Sequence, residues 1–136
     1  MPTTAQINSL IGIPYNRDGF DCADLAAKVQ WDLFGRVIEL PGHHPKGVRA
    51  QAAAIRRHAV VLAVPVAADQ VIDGDAVLIV CQSAERGSLL HIGTILLICG
   101  ARWVLHASAA IGHSVLQRVS DLAGYGLRIE GYYRWK

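Results

Sequence analysis

The chain is poor in the features that mark several common classes of protein. Its 13 Lys and Arg against 11 Asp and Glu leave a formal charge of only +2. The basic residues form no block and no run interleaved with aromatics, so neither the composition nor the spacing resembles a nucleic-acid footprint. Long apolar runs are missing as well. Residues Ala59 to Ala68 are too few to span a bilayer and are interrupted by Pro65, and Leu89 to Cys99 contains a histidine and a glycine, so no transmembrane helix is expected. The opening residues Met1 to Gln6 lack the basic start and apolar core of a secretory signal, from which synthesis in the cytoplasm is expected, with retention there until something else exports the chain. Cysteine is sparse and odd in number. Three residues cannot build a disulfide framework, and Cys81 and Cys99, at the ends of apolar strand-like runs, are expected as buried small hydrophobes. What remains is 136 residues, 52% of them hydrophobic, a length and composition suited to one domain (1–136) with one core.

The pattern divides into a helical front and a strand-rich back. Thr3 or Thr4 can cap a short helix through Leu10. A second helix is expected from about Asp21 to Phe34, closed by Gly35, because Leu25, Ala26, Val29 and Leu33 recur on one helical face behind a good capping residue. A Pro/Gly/His-rich loop follows over Arg36 to Gly47, then an alanine-rich helix over Val48 to Ala59. β-branched runs take over from Ala76: Ala76 to Cys81, Leu89 to Cys99, Arg102 to Ser108, Ser114 to Val119 and Leu127 to Trp135. Helices first and an antiparallel sheet afterwards predict an α+β fold.

Within this frame Cys22 stands out. It falls in the first turn of the second helix, where unpaired backbone N–H groups and the positive end of the helix dipole favour a thiolate. A nucleophile needs a base and a group to orient the base, and His91 and His106 are the candidates. If their strands form a hairpin around Gly100 with a two-residue turn, the two histidines share a sheet face. With the turn at Cys99-Gly100, His106 lies opposite Gly93, about 7 Å along the strand from His91; a turn at Gly100-Ala101 doubles that offset, and a three-residue loop could reverse the face. The other histidines have local explanations: His43 and His44 in a solvated loop, His58 at a helix end, His113 in a turn. The same Cys22, His91 and His106 would also suit zinc by ligand type, although no Cys-x-x-Cys or His-x-x-x-His pair accompanies them.

The ordered series Gly12-Ile13-Pro14-Tyr15, Asp21-Cys22, Gly74-Asp75-Ala76-Val77, His91-Ile92-Gly93 and His106-Ala107-Ser108 resembles the NlpC family of papain-like cysteine peptidases, which cut bacterial cell-wall peptides. Ile38-Glu39-Leu40-Pro41 and Gly131-Tyr132-Tyr133-Arg134 look like features of its phage-tail branch. The resemblance implies a papain-like fold in which N-terminal helices pack on a C-terminal antiparallel sheet. It implies Cys22 as nucleophile, His91 as general base and then acid, and His106 as the residue that orients His91. Tyr15 would line the substrate cleft, and Asp24 would place a carboxylate there beside the nucleophile. No cofactor or metal is implied. The implied substrate is the peptidoglycan stem peptide, with the D-γ-glutamyl to diamino acid bond as first choice, and the implied setting a phage or prophage tail with other tail proteins as partners. The chain departs from the family pattern at Ala23-Asp24, where Ser-Gly is usual, and at Asn16-Arg17-Asp18-Gly19, where paired glycines are usual. Loss of the hydroxyl and gain of a carboxylate keep a second expectation open, a tail component with the same fold and little or no turnover.

Overall fold

The computed structural model describes residues 2–16, 18–38, 57, 61–83 and 87–136, with only the backbone of 82, 83 and 87–89. The alanine-rich helix expected over 48–59 lies outside the described residues except for position 57, as do His43, His44 and His58. Two α-helices precede a six-stranded antiparallel sheet: α1 (Thr4–Asn8), α2 (Cys22–Phe34), β1 (Ala63–Val66), β2 (Ala76–Ser83), β3 (Gly87–Ile98), β4 (Ala101–Ala107), β5 (Ser114–Arg118) and β6 (Leu127–Trp135), in the order β1-β6-β2-β3-β4-β5. The α+β expectation and the five expected strands agree with this arrangement. Three of the described elements were not expected, one of them a short 3-10 turn, Ala68–Gln70. β1 sits at the sheet edge, where Pro65 is tolerated because its missing N–H costs no ladder bond on the open side. A 3-10 stretch, Val119–Tyr125, follows β5 and buries Leu122.

The alternation of side chains along each strand sorts the core into two sides. Leu78, Val80, Leu90 and Ile92 pack with Cys22 and Ala26, while Leu96, Leu105 and Ala107 pack with Leu25 and Val29, so α2 covers this face. Val77, Ile79, Ile95 and Val104 point the other way and join Val71, Leu122 and Leu127.

The register of α2 on the sheet is set at both ends. At its N-terminus Asp21 accepts hydrogen bonds from the N–H groups of Ala23 and Asp24, and the Asp24 carboxylate accepts from the Asp21 N–H, a reciprocal capping box. Near its C-terminus the fully buried Gln30 donates from Nε2 to the carbonyl of Gly74 at 2.9 Å. Gly74 adopts φ +91°, and a Cβ there would lie 3.1 Å from the Phe34 ring, so the turn needs glycine on both counts. The buried Asp75 beside it accepts from Ile72 N–H and pairs with both Nε and Nη2 of Arg134 on β6. The two short motifs Gly74-Asp75 and Gly131-Tyr132-Tyr133-Arg134 therefore meet in space.

Replacing Asp21 by Ala should cost about 1 kcal/mol in chemical denaturation through loss of the cap. Asp32→Ala, which breaks only the exposed pair to Lys28, should stay within about 0.5 kcal/mol.

Candidate active site

The β3–β4 hairpin turns at Cys99-Gly100, with φ of +50° and +78°, and Ile98 pairs with Ala101. Positive φ at both central residues matches the twist of a tight hairpin. Among the registers the sequence allows, this one sets Gly93 opposite His106 and brings the two histidines to one face. His91 Nε2 and His106 Nδ1 are 3.0 Å apart, with ring centroids at 5.1 Å and planes 15° apart. Both side chains are buried, His106 completely.

Glycine opposite His106 makes room for this pair. A Cβ at position 93 would come within 2.6 Å of Val104 Cγ2 and 3.1 Å of His106 Cβ. On the far side of His106, Gln117 Oε1 lies 2.6 Å from Nε2. Gln117 is on β5 opposite Val104, one register step from His106 on the same face. Its role was not foreseen from the sequence. Strand β5 was expected, but its pairing with β4 depends on a six-residue connection, 108–113, whose length alone fixes no register.

Cys22 occupies the first turn of α2, as the capping pattern predicts, and its thiol meets β3 at the N–H of Ile92, the residue after His91; this N–H, with those of Cys22 and Ala23, favours the thiolate. The His91 side chain leaves β3 on the face opposite to that of Ile92. Among the described residues, no hydrogen bond joins the thiol to the His91 ring. Burial dominates the electrostatics here. It pushes the Cys22 thiol up to about 12, with the Asp21 carboxylate adding to the rise and the three N–H groups opposing it. Burial likewise brings His91 down to about 3, with His106 adding to the fall, and lowers His106 against the pull of Gln117. The helix-start thiolate expected from the sequence is therefore not the resting state. The carboxylate opposing ionisation is Asp21 rather than the expected Asp24, whose carboxylate closes the capping box.

Tyr15 is half-buried and packs beside Leu10, Leu25 and Leu105, with its N–H donated to the Gly112 carbonyl. It stands with the second apolar cluster under α2, whereas Cys22 belongs to the first. The other cysteines diverge from expectation. Cys81 is half-buried against the far face of the sheet, and Cys99 is exposed because the hairpin turn takes it out of the strand. Zinc finds no ligand set in Cys22, His91 and His106: both nitrogens of His106 are already engaged, and no metal-holding group of three or more His, Cys, Asp or Glu lies together among the described residues.

Gly93→Ala should destabilise the fold by about 1–3 kcal/mol through overpacking and should disturb the His91–His106 contact, read as a change in imidazole NMR shifts. Stability should also be confined in pH. Unfolded His91 takes a proton near 6.5 and folded His91 only near 3, so stability falls as pH drops between those values. Unfolded Cys22 ionises near 9.0 and folded Cys22 near 12, so stability falls again as pH rises through that window. Thermal melts should show a plateau between about pH 6.5 and 9, with the alkaline limb flattened in Cys22→Ala.

Comparison of the chain with protein-family models, curated proteins and solved structures finds no match to any of them.

Proposed function

We propose that the chain is a cysteine peptidase of the papain-like NlpC type, acting on peptide bonds of the peptidoglycan stem in the setting of a phage or prophage tail. The observation that carries the reading is the adjacency along β3: the Ile92 N–H faces the Cys22 thiol and favours its ionised form, and the preceding residue, His91, is tied to a second buried imidazole 3.0 Å away. The family resemblance carries the substrate class and the choice of the D-γ-glutamyl to diamino acid bond.

With a neutral thiol and a neutral imidazole at rest, proton transfer accompanies attack rather than preceding it. Cys22 Sγ bonds to the substrate carbonyl carbon as its proton passes to His91, and the Cys22 N–H at the start of α2, which the Asp21 cap does not engage, receives the developing oxyanion. Collapse breaks the C–N bond, and His91 returns the proton to the leaving amine. Water, deprotonated by His91, then cleaves the thioester, and His91 passes that proton to the departing sulfur to restore the thiol. In the resting structure Cys22 packs with Ile92 under α2 while the His91 ring leaves β3 on the opposite face, and no hydrogen bond joins them, so this transfer requires a rearrangement that brings thiol and imidazole together.

The protonated, buried thiol also favours a second reading, a tail component with the same fold and no turnover. A digest of purified cell wall read by mass spectrometry separates the two. Wild-type protein should release stem-peptide fragments, Cys22→Ala and Cys22→Ser should lose at least about 100-fold in rate, and Cys99→Ser should keep the wild-type rate. Equal release by wild type and Cys22→Ala would sink the nucleophile assignment, and no release by either would favour the inert component.

A further inference from the structure

A buried histidine pair can hold its two hydrogen bonds in either of two directions, and only one of them leaves the outer ring able to accept a proton. Resting on the peptidase reading above, we propose that Gln117 is the positioning residue that sets this direction. The chain of contacts runs from Gln117 Oε1 to His106 Nε2 at 2.6 Å and from His106 Nδ1 to His91 Nε2 at 3.0 Å. An amide oxygen can only accept, so His106 must donate from Nε2. A neutral imidazole carries one N–H, which leaves His106 Nδ1 as an acceptor. His91 must then donate from Nε2, and its own proton-free nitrogen is Nδ1. One amide thus specifies the tautomer of two rings and leaves His91 with a lone pair at the nitrogen not used inside the protein. Reversal of both bonds would put a proton on His91 Nδ1 and remove the base.

The burial of the rings gives this control its force. His106 is fully buried and His91 nearly so, and in such surroundings an imidazole nitrogen without a partner is costly, so the direction set at one end is transmitted to the other. Gln117, half-buried at the end of this series of contacts, is placed beside the ring by the β4–β5 register, with Oε1 toward His106 Nε2. His106 relays the order that Gln117 imposes.

Long-range 15N–1H spectra of histidine-labelled protein read each ring's tautomer directly. In the wild-type protein at pH 8, both His91 and His106 should be single Nε2–H tautomers. In Gln117→Met, which keeps bulk and removes the amide acceptor, both rings should shift together to mixed or Nδ1–H tautomers, and kcat for wall-peptide release should fall about 10–100-fold with little change in KM. Gln117→Glu, which still accepts at that pH, should restore both tautomers. An Nδ1–H tautomer at His106 in the wild type, or wild-type tautomers in a folded Gln117→Met protein, would overturn the proposal. The wild-type spectrum decides even if the Met variant fails to fold. Correct tautomers in a protein that releases no wall peptide would count against the peptidase reading and leave the relay standing, whereas unchanged tautomers in an active Gln117→Met enzyme would do the reverse.

Discussion

The pairing of Gly93 with His106 is the constraint on which the rest of the site depends. A slip of one residue would send one histidine to the α2 face and leave the other among Val104 and Ile95, and no hydrogen bond could join them. The register is secured three times over: by a two-residue turn at Cys99-Gly100 with positive φ, by the apolar alternation of β3 and β4, and by the absence of a side chain at position 93. Each of these is a backbone or packing condition rather than a polar one. Polar order in the site is therefore imposed by apolar geometry.

Two opposing effects act on Cys22, and their balance gives the site its resting character. The first turn of α2 and the Ile92 N–H stabilise negative charge on sulfur, effects of the order of 1 kcal/mol each at a helix end or hydrogen bond. Removal of the thiol from water opposes them and wins, aided by the Asp21 carboxylate that caps the same helix. The residue that starts the helix correctly thus also restrains ionisation of the thiol it presents. On the other side, the same exclusion of water keeps His91 and His106 uncharged.

Much of this arrangement was legible in the sequence because it rests on local rules. Asp21 and Gly35 announce both ends of α2, β-branched runs announce β2 to β6, and the parity of a two-residue hairpin puts His91 and His106 on one face. What escaped depends on long-range terms. β1 looked like an apolar stretch broken by proline, and only its pairing with β6 reveals an edge strand. Gln117 is an ordinary polar residue until the β4–β5 register places its amide beside His106. The thiol's ionisation was misjudged for a related reason: helix position can be read from the residues around Cys22, but desolvation comes from Ala26, Leu78, Val80 and Ile92, residues far apart in the chain.

Strands β2 to β5 are neighbours both along the chain and across the sheet, whereas β6 returns to pair with β2 and then receives β1 on its other side. The meander from β2 to β5 can assemble through successive hairpins with little loop entropy, and it already contains His91, Gly93, His106 and Gln117. Closure by β6 and β1 and the docking of α2 join residues much farther apart. A chain in which only the meander has formed would then carry the imidazole pair before Cys22 arrives beside Ile92, and the thiol would be the last of these groups to find its place.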